Sequence, residues 1–431
     1  MPSNEENILL PNSRRRSQSS TDFKSIIPSL AVFIVICVIC APIAYFLSFV
    51  LADFLKLDLP TIPRVPAARC GKRLIGYYSF WQENKLHESQ LKNLTHLIFM
   101  FADVEKSGHA IINKSFGEVR FWDMKKIANN ARKDGLKILI AVGGYATSRN
   151  FAEIVQFFTD PVKRNAFLDS IISLLDEYDV DGIEVFWMWP KTEDKVALLR
   201  FIRELREKMT EHKIRKQREE DYILSVIAPR NISKLENIYY LNDILKHVDF
   251  INIITHEWQY DNNVVGPISA LYGSPGDNID DTMKYLTCQT KQPSKLNLAV
   301  PMHGFYWVGT TFPLNHTQKL TLQKDTEGPY EMPWKLWKME SWAAFPVQWH
   351  NETRTPYVWE ISEYSKKRIF VTFENERSLR EKANYAKMKN LGGVTMYSID
   401  QDENNTLMNA VASVDLCTDD RRDVINYDCG E

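Results

Sequence analysis

Eight short apolar runs, most of them separated by longer amphipathic ones, constrain this chain more than any other feature. The runs are Leu74–Phe80, His96–Asp103, Leu136–Val142, Val180–Met188, Tyr222–Ala228, Val248–Thr255, Lys295–Met302 and Gly392–Ser398. Each has the length of a strand, and several are apolar at successive positions, as in parallel strands covered on both faces. Helical periodicity marks Glu118–Lys133, Val162–Tyr178, Glu193–Lys213, Leu241–His247, Ile279–Thr290 and Arg377–Lys389 between them. Eight strands with intervening helices predict an α/β chain whose parallel sheet closes into a (β/α)8 TIM barrel. The connection from His303 to Glu376 is too long for a loop and must hold structure of its own. It contains Trp307, Trp334, Trp337, Trp342, Trp349 and Trp359, over half of the chain's 11 tryptophans. Strand-like segments at Pro356–Ile361 and Arg368–Phe373 predict a small α+β insertion there, with the tryptophans chiefly forming its own core.

The fourth run, Val180-Asp-Gly-Ile-Glu-Val-Phe-Trp-Met-Trp-Pro190, carries the most chemical information. Side chains alternate across a strand, so Glu184, Phe186 and Met188 share the face that points into a barrel. Position 188 lies toward the C-terminal end, where barrel enzymes build their sites. This stretch resembles glycoside hydrolase family 18, the chitinases and their relatives, which places Asp-x-x-Asp-x-Asp-x-Glu on the fourth barrel strand. The four positions here are Asp181, Glu184, Phe186 and Met188. The frame is kept, including Gly182 and the closing Trp189-Pro190, but the last two acids are replaced. The resemblance implies that position 188 should protonate the leaving oxygen and position 186 should orient the substrate's acetamido nucleophile. Methionine has no proton to give and phenylalanine accepts no hydrogen bond. A degenerate, non-hydrolytic site is expected, with no catalytic residue.

The resemblance extends strand by strand over residues 71–414. Leu74-Ile-Gly-Tyr-Tyr is similar to the family's first strand and Thr95-His-Leu-Ile-Phe-Met-Phe-Ala to its second. In the third, Ala141 stands for the usual Ser. In the sixth, Ile254, Thr255, His256 and Glu257 replace Met-x-Tyr-Asp. In the seventh, His303 and Phe305 replace Tyr and Arg, and in the eighth Tyr397 replaces Trp. The departures cluster in the sugar pocket, while the glycines and apolar runs of the scaffold remain. Candidate ligand-binding residues are Ala141, Trp189, His256, Glu257, His303 and Tyr397, and the ligand would be a chitin-type or other glycan, or a protein. The alternative is a purely protein-binding or structural module with a vestigial cleft, and a further one is an active glycosidase with a relocated acid. Glu184 lies four residues before Met188, about 13 Å along a strand at ~3.3 Å per residue, and cannot reach the same bond. Glu257 has no acid partner in view.

Ahead of the barrel, residues 1–24 are polar, with Arg14-Arg15-Arg16, a Ser/Thr cluster and Lys24, and read as a disordered cytosolic tail. Residues 25–52 contain no charged residue. As a helix they would extend about 42 Å, more than the ~30 Å hydrocarbon core requires. An uncleaved signal-anchor is expected, because the apolar part of a signal peptide is shorter. Positive charge before the span and Asp53, Lys56 and Asp58 after it predict a type II orientation, with a Pro-rich stalk over 53–70 and the barrel in the lumen or outside the cell. The sequons at Asn93, Asn113, Asn231, Asn315, Asn351 and Asn404 all follow the span, as glycosylation in that compartment requires. So do four cysteines, Cys70, Cys288, Cys417 and Cys429, an even number suited to an oxidising compartment. Three pairings are open. The short loop of the C-terminal tail, residues 415–431, favours Cys417 with Cys429, leaving Cys70 with Cys288.

A net charge of −2 without a basic stripe argues against nucleic acid. The nine histidines show no metal-ligand spacing and there is no Gly-rich phosphate loop, so neither metal nor cofactor is expected.

Overall fold

The computed structural model describes residues 70–82, 84–144, 160–256, 264–273, 278–310, 320–321, 326–339, 344–361, 366–418 and 423–430. The expected tail, membrane span and nearly all of the stalk lie outside the described residues, as do Glu257 and Asn315. Among the described residues no helix is long and apolar enough to cross a membrane.

Seven barrel strands come first: β1 (Arg73–Ser79), β2 (His96–Val104), β3 (Lys137–Gly143), β4 (Gly182–Phe186), β5 (Ile223–Pro229), β6 (Phe250–Ile254) and β7 (Leu296–Pro301). Five strands of an insertion follow, β8 (His303–Val308), β9 (Glu327–Pro333), β10 (Gln348–His350), β11 (Thr355–Ile361) and β12 (Arg368–Thr372), before the eighth barrel strand, β13 (Gly393–Tyr397). The barrel strands pair in parallel, each with the next, and β13 pairs back with β1, so the sheet closes. Closure leaves no barrel strand at a free edge. The longer helices are α1 (Gly117–Arg132), α2 (Pro161–Glu177), α3 (Lys195–Lys216), α4 (Ile279–Thr290) and α5 (Glu376–Met388), followed by the short α6 (Thr406–Ala412). For two of them the start is written in the sequence. Asp160 caps α2 by accepting from the backbone of Val162 and Lys163, with Pro161 at the first helical position. Asn375 caps α5 in a reciprocal box with Ser378.

The continuous apolar runs are explained by two cores. Outward residues such as Ile183 and Val185 pack against the helices, in one cluster with Phe167, Phe201 and Leu205. Inward residues form a separate cluster through the barrel: Tyr77, Ile98, Phe101, Leu139, Ala141, Phe186, Phe250 and their neighbours. The Asp-Gly that opens β4 is set by close approach, since a Cβ on Gly182 would lie 2.1 Å from the carbonyl oxygen of Ile223. The β4 ladder is shorter than the expected Val180–Met188. It ends where Gly144 donates to the Phe186 carbonyl (2.9 Å), leaving Trp187 and Met188 beyond it at the mouth.

The insertion forms one antiparallel sheet in the order β9-β8-β12-β11-β10. Trp307 and Trp334 are buried, as expected of core tryptophans. Trp349 and Trp359 are half-buried, each covered by a guanidinium, Arg377 at 3.8 Å and Arg368 at 4.2 Å from the ring centroids.

The disulfides differ from the expected pairing. Cys70 bonds Cys417 and Cys288 bonds Cys429, with Cα–Cα separations of 5.7 and 5.4 Å. Loop length misleads here because the tail does not fold back on itself. Leaving α6, it passes Cys70 just before β1. It then runs under the end of α5, where Asn390 donates to the Val424 carbonyl (3.0 Å) and Asn426 to that of Met388 (3.0 Å), and reaches Cys288 in the last turn of α4. Tyr427 joins Tyr385 by a 2.7 Å hydroxyl contact on the way. The tail is a strap stapled at both ends.

Candidate functional site

Layers of side chains fill the barrel toward its C-terminal mouth. Above Phe250, which packs edge-on against His96 near the base, the first layer is polar. Glu184, with no exposed surface, accepts from the Tyr77 hydroxyl (2.7 Å) on one carboxylate oxygen. Its other oxygen accepts from Asn252 Nδ2 (2.6 Å) and Ser225 Oγ (3.1 Å). The Asn252 oxygen in turn accepts from Asn297 Nδ2 (2.9 Å) and Thr395 Oγ1 (3.0 Å). Burial pushes the Glu184 carboxyl up to about 7, against the pull of its three donors, and holds the Tyr77 hydroxyl far above its ordinary value, with Glu184 adding to that rise. The register sets Ala141 beside Glu184, where its methyl group adds no hydrogen bond.

The second layer is aromatic. Phe186, 1% exposed, meets Phe101 (centroids 4.7 Å) and Tyr77 (5.9 Å) edge-on. Tyr397 packs on Tyr77 at 5.4 Å. Above them the half-buried Met188 and Trp189 rest on this cluster, while Trp81, 43% exposed, stacks on Phe101 at 5.5 Å with the planes 16° apart. On the far side of Tyr397 lie the buried rings of His256 (5.4 Å) and His303 (6.3 Å), which are 5.9 Å from each other. Phe305, fully buried, packs on His303 at 5.5 Å. His303 Nδ1 is 3.2 Å from the Gln401 oxygen, and Gln401 Nε2 donates to Glu331 (3.0 Å) on the insertion sheet.

The structure thus brings Glu184, Phe186, Met188, Ala141, Trp189, His256, His303 and Tyr397 into one column. Asp181 is elsewhere. It sits at the opposite end of β4, accepting from Arg132 (3.1 Å), Arg218 (2.9 Å) and the backbone of Ile138 (2.9 Å). It anchors the strand and does not face the mouth. Sequence reasoning missed Tyr77, Asn252, Trp81, Phe101 and Gln401 as members of the column. Strand parity could have found Tyr77 and Asn252, which share the inward face of β1 and β6. Among the described residues, no three His, Cys, Asp or Glu are grouped to hold a metal ion.

A closed parallel barrel with an inserted antiparallel sheet, its mouth lined by aromatic rings, defines the class of protein. Residues 73–402 match the model of Glycosyl hydrolases family 18, and the chain belongs to that family. Chitinase B of Serratia marcescens is 21% identical over 74% of this chain and 75% of its own length. Human Chitinase-3-like protein 2 is 22% identical over 77% of this chain and 87% of its own. Among solved structures, YKL-39, crystallised in the presence of chitooligosaccharides, superposes with a TM-score of 0.68 at 19% identity, over 79% of this chain and 98% of the other. Chitinases and chitinase-like proteins thus both stand among the relatives.

Proposed function

We propose that this chain is a chitinase-like pseudoenzyme that binds a glycan of the chitin type at the barrel mouth without hydrolysing it. The observation that carries this reading is the top of β4, where Phe186 and Met188 occupy the inward face above Glu184. Neither can donate or accept the proton that cleavage of a sugar linkage requires, and a positioned general acid contributes about 10²–10⁴ in rate. Burial raises the Glu184 carboxyl to about 7, but it lies sealed under Phe186 with all its partners inside the barrel. What the mouth does offer is flat apolar surface, Trp81, Trp189 and Tyr397, with the exposed Glu331, held by the buried Gln401, at its polar edge. That combination suits a pyranose, which has an apolar face and hydroxyls at its edge. The crystallisation of YKL-39 in the presence of chitooligosaccharides supports the same ligand class by analogy. The same surface suits an apolar side chain of a protein partner, the second reading.

The domain is further proposed to stand outside the cytosol on a type II membrane anchor formed by residues 25–52. Its two disulfides accord with an oxidising compartment.

A glycan array probed with the purified domain, followed by titration of chito-oligosaccharides, tests the ligand. Binding is expected, weakened several-fold by Trp81→Ala through loss of one stacking ring. Silence across the array, with a protein captured through the same residues, would favour the second reading.

A further inference from the structure

Helix α1 is apolar on two sides. Its inner side, Phe121, Met124 and Ala128, is buried against the barrel and accounts for its place in the fold. Its outer side carries Phe116, Val119 and Trp122, which are 53%, 59% and 44% exposed. Spaced three apart, they form one stripe around the start of the helix. Trp122 also lies over Tyr178 (centroids 5.6 Å) and meets Phe121 (5.4 Å), yet nearly half of it stays exposed, and a clustered exposed patch of this kind ordinarily has a cover.

The sequon Asn113-Lys114-Ser115 lies immediately before that stripe. Asn113 is exposed, and its backbone carbonyl accepts from Glu118 (2.8 Å), folding the chain into a turn against the first turn of α1. Its side-chain oxygen accepts from both the backbone N–H (3.0 Å) and the hydroxyl (2.8 Å) of Ser115. The hydroxyl of this sequon is thus turned onto the amide that would be modified. The other described sequons use these groups differently. Thr95 is buried with its hydroxyl on Leu74 and His96, Thr353 is buried against His350 and Thr355, and the Asn231 side chain caps a helix through Lys234. Asn404 is exposed, but no apolar stripe adjoins it among the described residues.

We propose that Asn113 carries an N-linked glycan whose first sugars lie over Phe116, Val119 and Trp122 and shield that stripe from solvent. A sugar ring presents a face of C–H groups that packs on aromatic and aliphatic side chains, while its hydroxyls keep the covered surface hydrated. The proposal rests on the reading that the domain is made in the secretory compartment.

The test uses the 431-residue chain expressed in cells with a glycosylating secretory pathway. Site occupancy is mapped by mass spectrometry. Hydroxyl-radical labelling then compares Phe116 and Trp122 in the native protein, after enzymatic removal of N-glycans from the folded protein, and in Asn113→Gln. Occupancy at Asn113 is expected, with labelling of Phe116 and Trp122 rising about twofold or more in both deglycosylated forms and labelling of Trp81 unchanged. An empty Asn113 alongside occupied sequons elsewhere would overturn the proposal and leave the topology standing. Equal labelling with and without the glycan would also overturn it, and would mean that another occupant, or none, covers the stripe. Absence of glycan at every sequon would remove the topology and this inference together.

Discussion

Replacing Glu184 by Gln tests how the barrel interior is held. The carboxyl is fully buried and titrates at about 7 in the folded chain against an ordinary value of 4.5, with burial the main cause. Because the folded value is raised, the folded state holds the proton more tightly than the unfolded chain. Glu184 therefore contributes its full stability below pH 4.5 and loses it as pH rises toward 7, after which the loss is constant. At about 1.36 kcal/mol per pH unit, the loss across that window is roughly 3 kcal/mol. Glutamine copies the protonated acid: its oxygen can accept from Asn252 and Ser225, and its amide can donate to the Tyr77 oxygen. The variant should match the wild type within about 1 kcal/mol near pH 4.5 and exceed it by about 3 kcal/mol at pH 8. For a domain of this size that corresponds to ~4 °C in Tm. Scanning calorimetry of both proteins from pH 4.5 to 8 gives the difference directly, because groups common to both cancel. Parallel curves with a constant offset would refute the assignment of a buried, titrating carboxyl.

Two further outcomes follow from the same packing. Phe186→Asp with Met188→Glu should not restore turnover of a fluorogenic chitobioside, because Ala141, His256, Phe305 and Tyr397 would still stand where the family resemblance sets polar contacts and a tryptophan. Substituting the buried Phe186, in contact with Phe101 and Tyr77, should cost about 3–5 kcal/mol before any charge is counted, seen as a lower Tm. For the strap, non-reducing peptide mapping should recover Cys70 linked to Cys417 and Cys288 linked to Cys429, and Cys288→Ala with Cys429→Ala should cost about 2–4 kcal/mol. A Cys417–Cys429 peptide would contradict the described path of the tail.

The barrel was legible because its strands are covered on both faces, which writes burial into consecutive residues, and because β4 keeps a distinctive frame from Asp181 to Pro190. Parity along that strand was enough to turn Glu184, Phe186 and Met188 inward. The polar layer was not legible. Tyr77, Glu184, Ser225, Asn252, Asn297 and Thr395 come from six different strands, and only the register of the closed sheet makes them neighbours. Asp181 belongs to the same motif by spacing, yet it stands an odd number of residues from Glu184, before the ladder begins, and meets two arginines at the other end. The disulfides failed for a related reason. Loop length describes the unfolded chain, whereas the partner of Cys417 is chosen by where the tail crosses the base of the barrel.

The central claim is that the mouth binds without cutting. It is tested most directly by incubating the purified domain with chito-oligosaccharides, measuring complex formation and product release in one experiment, and using a heat-denatured sample as the blank. The account predicts saturable binding with release no faster than the blank, since the general acid alone is worth ~3–5 kcal/mol of barrier. Release above the blank that scales with protein concentration and is abolished by Glu184→Gln or Glu257→Gln would contradict it.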